Sequence, residues 1–580
     1  MRNIIVILLL CVMSSLGFGA ETSKVALDLG MLTLLPPIVA IALAFITKNV
    51  ILSLFIGIYS GSFLLGITQG KSYLFSFLGG LSDITNRIIG SMADSWNAGI
   101  ILQCLTIGGL VAVISKMGGA RAVAEALAKK AKTPRSAQLV TWVMGLFIFF
   151  DDYANALIVG PIMRPITDKM KISREKLAFI IDSTAAPIAG IALISTWVGY
   201  EISVIKEGYS LIGIENINAY SIFVQTIPYR FYNILMLIFV ASTAFFLREF
   251  GPMAKAERRA RKTGQVTSGS AAKISPEEAK MIEPKEGVIL NIWNAIIPIM
   301  VLIIGSFIGF YLNGKGYLEG AVLDAVNNAP LSFFAIRETF GSADASVVIF
   351  QAALFASIVA IVMGITKKIF KFTEAIDVWI HGMKSLVITG VILLLAWSLS
   401  SIIKELGTST YLVNALAGSI PKGFLPSIIF ILGSAIAFST GTSYGTMGIL
   451  MPLAIPLANA IGGAAGLTEE ALSSYIVMSI GAVLTGAIFG DHCSPISDTT
   501  ILSSMGAECD HIEHVNTQIV YALAVGAITV LFGYLPVGMG VSIYIVLPLS
   551  IIATILIVRY VGKSVERVSE EDEEKVEMVQ

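Results

Sequence analysis

The sequence contains few charged residues. Asp, Glu, Lys and Arg make up only 14% of its 580 residues, whereas 55% are hydrophobic and the mean hydropathy is +0.82. Soluble domains carry about 25% charged residues, and one aqueous core cannot hide so much apolar surface. The composition therefore excludes a soluble enzyme and predicts a protein whose solvent is the lipid bilayer. The formal net charge of −1 gives no indication of a nucleic-acid partner, and none is expected.

Cysteine is also scarce, and two kinds of motif are missing. The four cysteines, Cys11, Cys104, Cys493 and Cys509, form no CxxC pair, so a disulfide framework is not expected. No GxxxxGK[ST] sequence occurs, which argues against a nucleotide-driven pump. The histidines near Cys493 and Cys509 fit no standard zinc spacing, so neither a transition metal nor another cofactor is expected.

Long apolar runs dominate what is present. A membrane-spanning helix needs about 20 mostly apolar residues, and the sequence predicts an all-α polytopic membrane protein with about 11 such spans. Two further stretches, 136–165 and 425–461, are interrupted by polar residues and are too long for one span. The predicted spans are 29–47, 50–67, 98–117, 177–200, 231–247, 290–313, 346–366, 376–403, 471–490, 516–536 and 540–560.

The first 20 residues have the pattern of a targeting segment. A basic start precedes an apolar run from Ile4 to Met13, and small residues follow up to Ala20. Two interpretations remain open, a cleaved signal peptide and an uncleaved signal-anchor helix. Both place residue 21 outside the cytoplasm.

Basic clusters set the predicted orientation, because Lys and Arg concentrate on the cytoplasmic side of membrane proteins. The segment from Arg248 to Lys285 holds nine of them, so loop 248–287 is expected in the cytoplasm, together with the C-terminus. Stretch 136–165 lies between two basic clusters, which predicts a re-entrant hairpin entering from the cytoplasm. Stretch 425–461 has few flanking positive charges, which predicts a hairpin entering from the opposite side. The expected location is the cytoplasmic (inner) membrane of a bacterium.

The two halves share sequence patterns in opposite predicted orientations. The string DDYANALIVGPIMRP in the first half aligns without a gap with TSYGTMGILMPLAIP in the second. Inverted-topology repeats are typical of secondary transporters, in which broken helices meet at the binding site. The predicted divisions are the targeting segment 1–20, a first repeat 21–247 with hairpin 136–165, a basic and flexible cytoplasmic linker 248–287, an inverted second repeat 288–536 with hairpin 425–461, and an extra span with a charged tail, 537–580.

Four polar segments, 151–155, 182–184, 440–446 and 490–500, interrupt the apolar sequence. Such segments are tolerated at membrane depth only where they are buried in protein or line a wet cavity, and an ionised Asp there costs a few kcal/mol. Carboxylate, hydroxyl and carbonyl oxygens are the ligands that hard cations prefer, which by analogy suits Na⁺. The predicted cation- and proton-binding residues are Asp152, Asn155, Asp182, Ser183, Thr184, Thr442, Ser443, Thr446, Asp491, Ser494, Asp498 and Thr499, with His492 as a candidate for pH response.

Structural interpretations of the same residues remain open. Asp182 suits a helix cap, and Ser or Thr in membrane helices often bond only to the backbone. Asp151 and Asp152 are adjacent, so one of them is free to face water or a basic residue. Two other functional classes compete with a carrier. One is a passive channel, and the other is a membrane-embedded hydrolase, for which Ser494 and His492 form the candidate pair without a supporting motif.

Two second-half strings resemble a known family. GTSYGTMGILMPLAIPLA at 441–458 and GDHCSPISDTTILSS at 490–504 are similar to the NhaC-type sodium/proton antiporters, and the second string is quite specific. FFDDYANALIVGPIMRP at 149–165 and DSTAAPIAGIALISTW at 182–197 are similar to the matching first-half segments. The resemblance extends from about residue 30 to residue 560.

The resemblance implies a secondary transporter built on inverted repeats with two re-entrant hairpins. It implies exchange of Na⁺ for H⁺ across the inner membrane, with no cofactor beyond the transported ions, and a homodimer that moves its solute by an elevator-like shift. By motif position, Asp152, Asp182, Asp491 and Asp498 are the expected site carboxylates. The expected oxygen ligands are Thr442, Ser443, Ser494 and Thr499. Relatives in the family exchange organic acids such as malate and lactate, so a Na⁺- or H⁺-coupled exchanger of organic acids or amino acids is the alternative.

Overall fold

The computed structural model describes residues 29–47, 49–149, 152–193, 195–268, 288–408, 411 and 420–565. The predicted targeting segment 1–20, Asp151 and the tail after residue 565 lie outside this part of the chain. Within it, ten helices are long and apolar enough to cross a membrane, or eleven if the bent pair Ala219–Tyr229 and Phe231–Phe246 counts as one span. The chain is therefore an all-α polytopic membrane protein, as its composition predicts.

The first half begins with a 3₁₀ turn, Gly30–Leu34, and a second 3₁₀ turn, Ile227–Tyr229, precedes its last helix. The helices of this half are α1 Leu35–Thr47, α2 Val50–Thr68, α3 Tyr73–Ala93, α4 Ser95–Lys116, α5 Gly119–Ala128, α6 Pro134–Phe147, α7 Asp152–Lys169, α8 Arg174–Ser183, α9 Ala186–Ala189, α10 Val198–Ser210, α11 Ala219–Thr226 and α12 Phe231–Phe246.

The second half includes a 3₁₀ turn at Lys422–Phe424 and a π-helical stretch at Thr529–Tyr534. Strands β1 Arg248–Glu249 and β2 Lys563–Ser564 pair antiparallel at the junction of the halves. The helices are α13 Gly251–Thr263, α14 Trp293–Lys315, α15 Gly320–Asn328, α16 Phe333–Ser342, α17 Ala345–Thr366, α18 Phe372–Ser385, α19 Val387–Glu405, α20 Leu425–Thr440, α21 Ser443–Ala464, α22 Glu469–His492, α23 Asp498–Ala507, α24 His511–Ile528, α25 Leu535–Gly538 and α26 Ile543–Val561.

Each stretch predicted as a hairpin consists of two helices joined by a short tip. Helices α6 and α7 cover stretch 136–165, and α20 and α21 cover stretch 425–461. The second tip is turned by Gly441, whose φ of +67° lies in the left-handed region. A Cβ there would lie 2.7 Å from the carbonyl oxygen of Ile496, so the tip requires glycine for space as well. Thr442 then caps α21, accepting a hydrogen bond from the Gly445 N–H.

Two predicted spans are divided in the structure. Stretch 177–200 was predicted as one span, but α8 ends at Ser183 and α10 begins only at Val198. Stretch 376–403 is split at Leu386 into α18 and α19. Helix α18 carries Glu374 in its first turn and Lys384 in its last. In the second repeat, α22 likewise ends at His492 and α23 begins at Asp498.

The hairpins and the broken helices pack together across the halves. Helix α7 of the first hairpin packs on α23 of the second broken span, and α21 of the second hairpin packs on α10 of the first. This reciprocal packing is compatible with an inverted repeat. The α7–α23 contact is close because Gly160 faces Gly506, and a Cβ on Gly160 would lie 2.5 Å from the backbone carbon of Gly506.

We expect Gly160→Ala to lower the free energy of unfolding by about 1–3 kcal/mol, because backbone atoms cannot yield to the added methyl group. The matched control is Gly463→Ala in α21, where nothing lies within 4 Å of the added Cβ. That change is expected to be neutral or to stabilise, since Ala is the better helix former. Thermal unfolding of the purified proteins in detergent checks both, and equal melting temperatures would contradict the close packing.

The basic linker 248–287 was predicted to be flexible, and this is wrong for its first part. Helix α13 docks on the start of α8, because Glu257 Oε1 accepts hydrogen bonds from Ser173 N at 2.7 Å and Ser173 Oγ at 2.8 Å. Arg259 adds an ion pair with Glu175 at 2.8 Å. Contacts made by Glu257 and Arg259 thus hold the first part of the linker in place as helix α13. The basic composition of the linker did not indicate a helix. Residues 269–287 of the linker lie outside the described residues.

Candidate functional site

The hairpin tips and the helix breaks surround one cavity of about 210 Å³. Three of the four polar segments, 151–155, 440–446 and 490–500, contribute residues to the cavity wall. The fourth, 182–184, does not, but the broken span that contains it contributes Trp197. The segment between α1 and α2 and the start of α19 complete its wall. The lining residues are Asn49, Val50, Ile51, Asp152, Trp197, Leu386, Ile388, Thr389, Ile392, Thr442, Ser443, Tyr444, Asp491, Asp498 and Thr499.

Asp491 is the buried carboxylate of this cavity, with an exposed fraction of 3%. Its Oδ2 accepts hydrogen bonds from Ser443 Oγ at 2.7 Å and from the Ser443 backbone N–H at 3.3 Å. Its Oδ1 has no hydrogen-bond partner in the part of the chain that the structure describes. A buried polar oxygen without a partner is costly, so this atom is available to a cation or a proton.

Asp498 and Asp152 occupy the first turns of α23 and α7. Asp498 is exposed toward the cavity, and its Oδ1 accepts a hydrogen bond from the Thr499 N–H at 2.9 Å. It lies close enough to Asp491 for the two carboxylates to repel each other. A cation bound between Asp491 of α22 and Asp498 of α23 would reduce that repulsion.

A second group of predicted residues lies behind the cavity and does not line it. Asp182, Ser183 and Thr184 are fully buried. Ser183 Oγ lies 3.1 Å from His492 Nε2, and Tyr232 Oη lies 2.7 Å from His492 Nδ1. His492 is therefore held between two hydroxyl groups and directly follows Asp491 in the sequence.

Four further predicted residues bond to the backbone in this conformation. Asn155 Nδ2 donates to Thr184 O at 2.5 Å and to Gly145 O at 3.1 Å, which ties α7 to both α8 and α6. The hydroxyl groups of Thr184, Thr446 and Ser494 donate to the carbonyl oxygens of Ile180, Thr442 and Phe438. As ion ligands these residues remain predictions.

Several cavity residues were not predicted from the sequence. Thr389 lies within an apolar run, and Asn49 lies in a short connection between two spans, so neither stands out. The rings of Trp197 and Tyr444 pack against each other at 47° with centroids 4.9 Å apart, and the Tyr444 ring also lies 4.6 Å from that of Tyr200. The alignment of DDYANALIVGPIMRP with TSYGTMGILMPLAIP, in which Tyr444 matches Tyr153, was the available signal for Tyr444.

A second cavity of about 460 Å³ lies toward the other end of α19. Thr389 lines the first cavity and Ser401 the second, a separation of about 18 Å along a helix that rises 1.5 Å per residue. The aromatic cluster of Trp197, Tyr200 and Tyr444 lies near the first cavity. The second cavity is lined by Arg87, Gly90, Ser91, Asp94, Trp96, Asn97, Ser203, Lys206, Glu207, Ser210, Glu215, Trp397 and Ser401.

The two cavities differ in charge. The first is lined by three carboxylates and, among its described lining residues, by no Lys, Arg or His. The second contains Arg87 and Lys206 together with carboxylates. Arg87 pairs with Glu405 at 2.7 Å. The Lys206 ammonium lies 3.7 Å from the centre of the Trp96 ring, and no carboxylate of the described residues lies within ion-pair distance of it.

Comparisons with known proteins agree with this architecture. The chain is 34% identical over 510 residues, 88% of its length, to an uncharacterized protein of Haemophilus influenzae, of which it covers 91%. It is 32% identical over 134 residues to the malate-2H⁺/Na⁺-lactate antiporter of Bacillus subtilis, 20% of this chain and 26% of that one. The YdaH transporter of Alcanivorax borkumensis has a similar fold, with a TM-score of 0.52 and 14% identity, over 80% of this chain and 90% of that chain.

A family model covers nearly the whole chain. The model described as the Na⁺/H⁺ antiporter family matches residues 3–192 and 188–539. The chain therefore belongs to the Na⁺/H⁺ antiporter family and is a membrane-embedded secondary transporter.

Proposed function

We propose that this protein exchanges Na⁺ for H⁺ across the bacterial cytoplasmic membrane, with loop 248–287 and the C-terminus in the cytoplasm. The observation that carries the proposal is the charge of the first cavity, where Asp152, Asp491 and Asp498 converge without a basic residue among the lining residues. Such a site favours a cation over an anion. Neither a cofactor nor a catalytic nucleophile is required, since the ions themselves are the substrates.

Competition at Asp491 provides the coupling. A carboxylate removed from water needs either a proton or a counter-cation, and the buried Oδ1 of Asp491 has no hydrogen-bond partner among the described residues that would compete with either. Ser443 supports the ionised form by donating two hydrogen bonds to Oδ2. Binding of Na⁺ near Asp491 and Asp498 then displaces a proton, and protonation on the other side of the membrane releases the Na⁺.

Proton flux in everted membrane vesicles tests the proposal. A pH gradient is imposed, and NaCl, LiCl, KCl and then organic acids are added in turn to wild type and Asp498→Asn. We expect Na⁺ to dissipate the gradient in wild type, and the variant to respond at least about tenfold more weakly, because loss of about 1.4 kcal/mol of ion binding already has that effect. A wild-type protein that responds to no cation would refute the proposal.

A second candidate function is coupled exchange of a small organic acid or amino acid. The observation that favours it is the second cavity, where the Lys206 ammonium stacks on Trp96 without an ion-pair partner among the described residues. A substrate carboxylate would supply that partner. The partial match to a malate-2H⁺/Na⁺-lactate antiporter supports the same candidate.

The vesicle experiment also separates the two candidates. If malate, lactate or an amino acid drives proton flux where NaCl alone does not, the second candidate is correct, and Lys206→Gln is expected to abolish the response. If NaCl alone drives flux and Lys206→Gln leaves it unchanged, the second cavity is not a substrate site and the first candidate stands.

A further inference from the structure

A continuous chain of hydrogen bonds leads from the start of α24 to the buried carboxylate of Asp182. His511 Nδ1 lies 3.0 Å from Ser504 Oγ, and the same oxygen lies 2.8 Å from His514 Nδ1. His514 Nε2 lies 2.8 Å from Gln518 Oε1. Gln518 Nε2 then donates to Asp182 Oδ2 at 2.6 Å. His511 is half-buried, whereas His514, Gln518 and Asp182 are fully buried.

Neighbouring carbonyl groups fix the direction of these bonds. Gln518 Nε2 also donates to the carbonyl oxygen of His492, which can only accept, so Gln518 Oε1 must accept from the His514 Nε2–H. His511 Nε2 lies 2.7 Å from Pro495 O, and therefore it also carries a hydrogen. In the neutral form of each ring, Nδ1 then carries no hydrogen and can only accept a hydrogen bond.

Ser504 cannot satisfy both rings. Its hydroxyl group has one hydrogen and faces three acceptors, the two Nδ1 atoms and the carbonyl oxygen of Thr500 at 2.8 Å. One additional proton on His511 Nδ1 resolves the shortage, because His511 then donates to Ser504 Oγ and Ser504 donates to His514 Nδ1. Every hydrogen in the chain then points from His511 toward Asp182.

The same proton can also rest on the buried ring. It moves from His511 Nδ1 to Ser504 Oγ while the hydroxyl hydrogen of Ser504 moves to His514 Nδ1, so the number of protons is conserved and no heavy atom leaves its place. His514 is then a cation whose Nε2 lies 3.9 Å from Asp182 Oδ2. The other oxygen, Asp182 Oδ1, has no hydrogen-bond partner among the described residues.

We propose that His511 and His514 form a proton-binding site that holds one shared proton through Ser504 and couples it to the charge on Asp182. Half-buried His511 is the entry point for the proton. The proposal rests on the proposed function, because Asp182 lies behind the cavity whose carboxylates exchange Na⁺ for H⁺. It gives the exchanger a second proton site behind the cavity, separate from Asp491.

Other ionisable groups surround this site on each element that packs against α24. Asp182 and the backbone of His492 bond directly to the chain, and Tyr232 bonds to the His492 ring. The remaining charged or titratable groups on these elements and in the turn before α24 are Arg174, Glu175, Lys176, Glu249, Lys255, Glu257, Arg258, Arg259, Arg261, Lys262, Glu469, Glu470, Tyr475, Asp491, Asp498, Glu508, Cys509, Asp510, Glu513, Tyr521, Tyr534, Tyr544, Arg559 and Tyr560.

Nitrogen NMR of the full chain in lipid bilayers tests the shared proton without requiring transport. The protein has four histidines, so ¹⁵N-histidine labelling gives few signals, which His511→Gln and His514→Gln assign. We expect the Nδ1 signals of His511 and His514 to titrate together at one pH in wild type and in Ser504→Thr, which keeps the hydroxyl group. In Ser504→Ala they should titrate separately. Identical titrations in wild type and Ser504→Ala would overturn the proposal.

Transport assays then test the coupling. We expect Ser504→Ala to shift the midpoint of the pH profile of Na⁺-driven proton flux, and Ser504→Thr to restore the wild-type profile. An unshifted profile in Ser504→Ala would overturn the coupling to Asp182. If wild type shows no Na⁺ exchange, the proposed function fails, while the NMR titration still decides whether the proton is shared.

Discussion

Asp491→Asn is expected to reduce Na⁺-driven proton exchange by about 30-fold or more. Losing one partner of a buried charge interaction costs about 2–5 kcal/mol, and each 1.4 kcal/mol corresponds to a factor of ten. Asparagine keeps the size of the side chain, and its oxygen can still accept the Ser443 hydrogen bonds that Asp491 Oδ2 accepts. The variant should therefore fold while losing the ionised group that binds Na⁺ or H⁺.

The matched control is Asp324→Asn, which changes an exposed aspartate on the short helix α15. It should exchange at the wild-type rate. Both proteins are reconstituted at equal density, and initial rates of pH-gradient dissipation are compared at several Na⁺ concentrations. An Asp491→Asn protein that is folded and exchanges as fast as Asp324→Asn would show that Asp491 is not at the ion site.

Glu201→Ala is expected to destabilise the protein by about 3–5 kcal/mol, because it leaves a buried guanidinium group without its counter-ion. Glu201 Oε2 lies 2.6 Å from Arg230 Nη2, and both side chains are fully buried. Arg230 Nη1 also donates to Gly190 O at 2.9 Å. The ion pair thus fixes the irregular stretch between α8 and α10 that leads to Trp197 and the cavity.

A surface ion pair provides the comparison. Glu215 and Lys404 lie 3.0 Å apart with exposed side-chain fractions of 68% and 50%, and Glu215→Ala should cost at most about 1 kcal/mol. The double variant Glu201→Ala/Arg230→Met removes both buried charges and should be more stable than Glu201→Ala alone. Thermal unfolding in detergent measures all three, and equal losses for Glu201→Ala and Glu215→Ala would contradict the role of the buried pair.

Much of the fold was predictable because its signals are local. Apolar length marks the spans, and basic residues mark their ends. The polar segments 440–446 and 490–500 predicted Thr442, Ser443, Asp491, Asp498 and Thr499, and all of these line the cavity. A carboxylate or hydroxyl group within apolar sequence is conspicuous, since it has few stable positions in a membrane other than such a cavity.

The remainder depends on contacts between distant segments. Asn49 and Thr389 reach the cavity only because α2 and α19 pack beside the hairpin tips, and nothing in their own sequence indicates this. Asp182 was predicted as a site carboxylate, but its hydrogen bond from Gln518, more than 300 residues away in sequence, has no local signal. Helix α13 was not predicted within the basic linker. Its Glu257 accepts a hydrogen bond from Ser173, the residue that caps α8, and the sequence of the linker alone does not indicate this contact.

The central claim is that the acidic first cavity couples Na⁺ transport to H⁺ transport. Uptake of ²²Na⁺ into proteoliposomes with an acidic interior tests this claim most directly. If the three carboxylates of the first cavity form the exchange site, wild type should accumulate Na⁺ above the external concentration until the pH gradient is collapsed by an added base, and Asp491→Asn should not accumulate it. Sodium that only equilibrates, at a rate independent of the pH gradient, would contradict coupled exchange at this site.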